Sequence, residues 1–224
     1  KQYKFIFSIY LSILLIFTIF FLSAVHNIST NNSMAEWVIN YQGGFTRRGL
    51  LGEFIFQISQ FFDFQIRKTF LIMQILIYCL YFYSIYVFFK KINYNYIFAI
   101  AIFSPLFFIF SIAELEALGR KDILMFLVFV INFLIFFRFK NINYNYFYFV
   151  FSFPIVFLTH EIYIIYICYF FAFFIMVEKK LSFSFFLKFV FLFIYILFFL
   201  DLITSNQYTK ENLDLLCQNL KEKS

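Results

Sequence analysis

Residues 5–25 read FIFSIYLSILLIFTIFFLSAV, an apolar run with no charged residue, preceded by Lys1 and Lys4. As a helix, a run of this length crosses the roughly 30 Å hydrocarbon core of a bilayer. It is too long for the apolar core of a cleavable signal peptide, and no small-residue cleavage site follows it, so it reads as a first membrane span. Further apolar runs follow at residues 69–89, 94–113, 123–137, 144–158, 162–177 and 183–200. In lipid every backbone N–H and C=O needs an internal partner, which leaves helices or closed barrels. The runs are solidly apolar rather than alternating, which excludes a barrel. The expected fold is all-α, a polytopic transmembrane helical bundle of about seven spans.

Residues 1–201 form the expected membrane domain and 202–224 a polar outer tail. In that tail Leu213, Leu216 and Leu220 suggest a short amphipathic helix. The runs at 144–158 and 162–177 are short for a full crossing and suit a tight hairpin or a re-entrant pair. Pro105 and Pro154 lie inside runs and are expected to kink their helices. The chain begins with Lys1 rather than Met and ends in a polar segment, so a fragment of a longer protein is expected.

Composition agrees with the membrane reading. The chain is 64% hydrophobic and 27% aromatic, against roughly 45–50% apolar for soluble domains. Net charge is +6, but the lysines sit beside apolar runs, where they set topology and attract anionic lipid. The aromatics fill the runs, so basic-plus-aromatic composition does not point to nucleic acid. Cys79, Cys168 and Cys217 and the isolated His26 and His160 have no metal-ligand spacing, and neither a metal site nor a disulfide framework is expected. The repeat of Ile92-Asn93-Tyr94-Asn95-Tyr96 at Ile142-Asn143-Tyr144-Asn145-Tyr146 follows basic residues both times and reads as interface anchoring by tyrosine.

Charge also orients the chain. With the N-terminus in the cytoplasm, Lys90-Lys91, Arg138 with Lys140, and Lys179-Lys180 all fall inside, as the positive-inside rule requires. The outer loops are then 26–68, 114–122 and 159–161. They carry Glu36, Glu53, Glu114, Glu116, Asp122 and Glu161 together with Arg47, Arg48, Arg120 and Lys121. Charges beside apolar spans tend to be paired or to line a cavity. Simple pairing is a competitor for individual residues. Glu116 and Arg120 have i,i+4 spacing, and Asp122 opens a span, where it favours the helix N-terminus.

The first outer loop holds Asn40-Tyr41-Gln42-Gly43-Gly44-Phe45-Thr46-Arg47-Arg48-Gly49-Leu50-Leu51-Gly52-Glu53, with four of the five glycines. Glycine lets the backbone approach a ligand closely, and arginine presents a planar fork matched to phosphate or carboxylate. Two readings are open, an anion cradle made by Gly43, Gly44, Arg47 and Arg48, or a turn whose arginines snorkel to headgroups. Residues 49–62 place Glu53, Gln57 and Gln60 at helical spacing, an amphipathic helix expected along the outer interface. His160 beside Glu161 is either a proton-handling pair or a capping group at a hairpin tip.

A pocket of this kind suits a polyprenyl-linked phosphate, with the polyprenyl chain lying between spans. The motif Asn40-Tyr41-x-Gly43-Gly44-Phe45-x-Arg47-Arg48-Gly49-Leu50, with Gly119-Arg120-Lys121-Asp122 and His160-Glu161, resembles polytopic bacterial polysaccharide-cluster membrane proteins. It is similar in this to O-antigen-polymerase-like and GT-C-type glycosyltransferases. The resemblance implies a membrane-embedded glycosyltransferase or polysaccharide polymerase of the bacterial inner membrane, using a polyprenyl-phosphate- or diphosphate-linked sugar at the outer face. Arg47, Arg48, Gly43, Gly44, Arg120 and Lys121 would bind phosphate, and Glu36, Glu53, His160 and Glu161 are the catalytic candidates. GT-C enzymes use an acidic residue of the first outer loop. This loop has no Asp before Asp63, so Glu36 or Glu53 would take that role. No cofactor is required, and a divalent metal would fit the many carboxylates although no spacing demands one. The alternatives are a transporter or flippase component and a non-catalytic membrane subunit. The near absence of charge in mid-span weighs against a transmembrane path.

Overall fold

The computed structural model of the chain describes residues 2–26, 36–92, 118–178 and 183–205, together with 211, 214, 215 and 218. The expected span at 94–113 with Pro105, the Glu114 and Glu116 part of the charged loop, Lys179-Lys180, and the tail helix at Leu213, Leu216 and Leu220 lie outside these residues. Among the described residues every extended element is helical: α1 (Gln2–His26), α2 (Leu50–Phe61), α3 (Ile66–Lys91), α4 (Asp122–Phe139), α5 (Ile142–Phe157), α6 (Ile167–Glu178) and α7 (Phe183–Ser205). The segments Lys4–His26, Ile66–Lys91, Asp122–Phe139 and Phe185–Ser205 are long and apolar enough to cross a bilayer.

α1, α3 and α4 overrun their apolar runs at both ends because polar flanks continue the hydrogen-bond ladder. Thus α3 starts at Ile66 and ends on Lys90 and Lys91, which favour the negative end of the helix dipole. Asp122 begins α4, at the end where a carboxylate is favoured. Only Lys140 and Asn141 separate α4 from α5. Lys140 takes the left-handed φ of 51° and its N–H reaches the carbonyl of Phe136 at 2.8 Å. Asn141 then caps α5, its Oδ1 accepting from Asn143 N at 3.0 Å. One expectation is corrected: 162–177 is not a single α-helix. A 3-10 turn, Glu161–Tyr166, precedes the 12-residue α6. The bond from His160 N to Val156 O, 3.0 Å, keeps this segment wound onto the end of α5.

The chain divides into two compact units, Lys1–Trp37 with Arg67–Leu134, and Val38–Ile66 with Ile135–Ser224. The core of the first is tied at Gly119. Its carbonyl accepts from Trp37 Nε1 at 2.6 Å and from Gln74 Nε2 at 2.9 Å. Its N–H donates to the Tyr78 hydroxyl at 3.1 Å. Trp37 has no exposed surface and sets its ring edge against Phe70, centroids 5.6 Å apart. Among apolar helices such buried polar bonds are expensive to leave unmade, so they choose one packing where hydrophobicity alone is indifferent.

The second unit is held by an aromatic seam between α5, α6 and α7. Tyr146 stacks on Phe174 at 4.2 Å, and Phe149 meets Phe170 edge-on at 4.8 Å. The Tyr195 hydroxyl of α7 donates to Val150 O of α5 at 2.7 Å. Phenylalanines outside the seam, such as Phe147, Phe151, Phe186 and Phe198, are exposed and suit contact with lipid chains.

Gly119 has φ of 82°, and a Cβ there would stand 2.9 Å from Gln74 Nε2. Gly119→Ala is expected to destabilise the purified protein by about 1–3 kcal/mol through strain and loss of the three-way bonding. Thermal unfolding in detergent measures it. A melting temperature equal to that of the parent would show that this knot does not hold the first unit.

Candidate functional site

The candidate site of the second unit is made where the start of α2 meets the end of α5. Leu50 N–H donates to the carbonyl of Leu158 at 3.4 Å. Arg48 lies two residues before that junction and Glu161 three residues after it, so the contact brings the two side chains together. Arg48 Nε donates to both carboxylate oxygens of Glu161, at 3.1 and 2.9 Å, and a terminal nitrogen donates at 2.8 Å. Arg47 Nε stands 3.5 Å from Glu161 Oε1, with its side chain 63% exposed.

Burial alone would raise the pKa of Glu161. The hydrogen bonds from Arg48 and from its own backbone, with the charges of Arg48 and Arg47, outweigh that and hold it below the ordinary carboxylate value. Glu161 therefore stays ionised. Arg48 spends its fork on this partner, and Arg47 keeps most of its donors toward solvent.

The loop before α2 is two turns. Gly44 N reaches Tyr41 O at 2.9 Å and Gly49 N reaches Thr46 O at 3.3 Å. Gly44 has φ of 114°, which glycine accepts at little steric cost. Asn40 Oδ1 accepts from Gln42 N at 3.1 Å, an Asx turn. Glu53 braces this arrangement. Its Oε2 accepts from Tyr41 N at 3.1 Å, and its Oε1 from Gln42 Nε2 at 2.8 Å and Gln57 Nε2 at 2.6 Å. Burial, then the Glu53 charge, pushes the Tyr41 hydroxyl up to about 12, so it is neutral at physiological pH. The Tyr41 ring stacks on Phe45 with centroids 5.5 Å apart.

Gly49 is the N-cap of α2 and offers the first-turn amides no side-chain acceptor. α2 buries Gly52, Ile55, Phe56 and Ser59. Gln57 and Gln60 are exposed, as the amphipathic spacing predicts. So are Phe54, Phe61 and Phe62.

The catalytic and phosphate-binding candidates divide between the units. Gly43, Gly44, Arg47, Arg48, Glu53, His160 and Glu161 belong to the second. Glu36, Arg120 and Lys121 belong to the first. There Glu36 precedes the buried Trp37, Arg120 pairs with Asp122 at 3.1 Å, and Lys121 is buried. His160 is buried, with its ring tilted against Tyr163 at 5.5 Å, whereas the neighbouring Glu161 carboxylate engages Arg48. Among the described residues no three His, Cys, Asp or Glu side chains converge as a metal site would need.

Sequence reasoning missed Asn40, Tyr41 and Thr46. Their polar atoms Asn40 Nδ2, the Tyr41 hydroxyl and Thr46 Oγ1 are buried and meet no hydrogen-bond partner among the described residues. Asn40 has no exposed surface and Thr46 only 8%. The signal available was their position within the glycine-rich stretch, and burial alone makes it specific. Comparison with known protein families, characterised proteins and solved structures finds no match to this chain.

The sign of the pH effect follows from Glu161. Its lowered pKa stabilises the fold fully above the ordinary value of 4.5, and that stabilisation is lost as pH falls through the lowered folded value. Acid unfolding of the parent should therefore be steeper below pH 4.5 than that of Glu161→Gln. A double-mutant cycle with Arg48→Ala should give a coupling of about 1–3 kcal/mol. Zero coupling would show that the two side chains are not partners in solution.

Proposed function

We propose that this chain is a membrane-embedded glycosyltransferase or polysaccharide polymerase that takes a polyprenyl-phosphate-linked sugar at the outer face of the bacterial inner membrane. The observation that carries the reading is the unequal use of two adjacent arginines. Glu161 orients Arg48 through Nε and one terminal nitrogen, and Arg47 beside it remains largely exposed. One carboxylate then faces two guanidinium groups, and Arg47 is the cation placed to receive a phosphate. Charge-assisted bonds of this kind contribute roughly 1.5–3 kcal/mol each. The exposed Phe54 near the start of α2, with Phe61 and Phe62 at its far end, favours a position at the interface, where the prenyl chain enters lipid while its headgroup meets Arg47. The reading carries with it about seven spans, with α2 lying along the outer interface.

A second reading, a non-catalytic subunit that recognises the same headgroup, is favoured by the carboxylates themselves. The oxygens of Glu53 and Glu161 already accept bonds within the loop, so neither stands free as a general base.

One experiment separates the two. With purified protein in vesicles, binding of a short-chain prenyl phosphate is measured alongside transfer of labelled sugar from a prenyl-phosphate sugar. Arg47→Ala should weaken binding about tenfold, on the order of one charge-assisted bond, and should abolish transfer. Binding without transfer in the parent would select the subunit reading. Binding indifferent to Arg47→Ala would remove the phosphate contact.

Topology is tested separately. Gln60→Cys, on the exposed side of α2, should react with an impermeant thiol reagent added outside intact cells in a background without Cys79, Cys168 and Cys217. Reaction only after permeabilisation would place the loop in the cytoplasm and end the outer-face assignment.

A further inference from the structure

We propose that Asn40, Tyr41 and Thr46 form a subsite for the uncharged hydroxyl groups of the sugar that follows the phosphate held at Arg47. This rests on the phosphate reading of Arg47 and adds to it the part of the substrate that the loop distinguishes. Three buried polar groups within seven residues lack partners among the described residues: Asn40 Nδ2, the Tyr41 hydroxyl and Thr46 Oγ1. Native proteins leave few such groups, because each costs about 1–3 kcal/mol. The Tyr41 ring and the Thr46 hydroxyl also lie near one another. A Cβ placed on Gly49 would collide with the Tyr41 ring and stand 2.5 Å from Thr46 Oγ1. The Tyr41 ring and the Thr46 hydroxyl thus pack directly onto Gly49 at the head of α2.

The chemistry of the three groups selects the ligand. The amide nitrogen of Asn40 can only donate, and its Oδ1 already accepts from Gln42 N. The Tyr41 and Thr46 hydroxyls donate and accept. Such a set matches hydroxyl groups. A second phosphate is disfavoured, because Glu53 lies on Tyr41 N at 3.1 Å. Across this loop Arg47 and Arg48 are opposed by Glu53 and Glu161, so each further negative charge on the ligand is met by less positive charge. The singly charged phosphodiester of a prenyl-phosphate sugar is the better fit. The three atoms are sealed from solvent, so the sugar reaches them by displacing the turn 41–44. Opening that turn breaks the Gly44 N to Tyr41 O bond and releases the bonds of Glu53 to Tyr41 N and Gln42 Nε2, while its two glycines rotate at the least steric cost.

The test uses the whole purified protein in vesicles and three probes: a short-chain prenyl phosphate, the same prenyl-phosphate sugar, and its prenyl-diphosphate counterpart. In the parent the sugar phosphate should bind about tenfold tighter than the prenyl phosphate, as two net hydrogen bonds of modest strength would give. Tyr41→Phe and Thr46→Val should each reduce that ratio by about threefold, the change for one of those two net hydrogen bonds. Their melting temperatures without probe should equal or exceed the parent's, because each removes an unpartnered buried hydroxyl. A ratio of one in the parent, ratios unaltered in both variants, or tighter binding of the diphosphate overturns the sugar subsite. A melting temperature that falls in both variants does the same, since it would give those hydroxyls a partner inside the protein. Failure of the underlying reading looks different: prenyl phosphate then does not bind, or binds equally to Arg47→Ala.

Discussion

The bidentate contact of Arg48 with Glu161 is the interaction on which the organisation of the second unit turns. In a chain this apolar, hydrophobic burial gives little direction, because lipid is as good a partner for phenylalanine as another helix is. A guanidinium and a carboxylate beside apolar spans have few acceptable positions, and together they define where the loop before α2 meets the end of α5. The backbone bond from Leu50 to Leu158 sets the same register. It brings residues 113 positions apart within reach of each other. Arg47, exposed beside them, then becomes a cation whose location is set by its neighbour.

The first unit uses the same logic with neutral groups. Trp37 and Gln74 donate to the Gly119 carbonyl and Tyr78 accepts from its N–H, which ties loop to helix among residues that would otherwise slide. In both units a few polar bonds choose the packing and the aromatic side chains fill it. Loop carboxylates spent on structure are poor bases. Glu53 braces a turn and Glu161 neutralises an arginine, so either would have to be released to act as a general base.

The functional argument therefore rests on what the loop leaves unspent. Arg47 has donors toward solvent, and the hydroxyls of Tyr41 and Thr46, with the amide of Asn40, have no partner among the described residues. Charged and neutral donors side by side suit a ligand that is itself part phosphate and part polyol.

Sequence alone determined the helical class, because length and solid apolarity of a run dictate a helix wherever water is absent. It also identified the Gly-Gly/Arg-Arg loop, since glycine and arginine have few reasons to occur together between apolar runs. Four of the expected spans emerge as helices of crossing length. The run at 162–177 divides into a 3-10 turn and a short helix, which hydropathy cannot foresee because it is blind to hydrogen-bond register. Only the tertiary structure decided that Arg48 and Glu161 are partners, that Glu53 is a brace, and that Asn40, Tyr41 and Thr46 keep polar atoms without partners among the described residues. Pairing and burial depend on which distant segments meet, and in a sequence this uniform in phenylalanine, isoleucine and leucine local pattern says little about which they are.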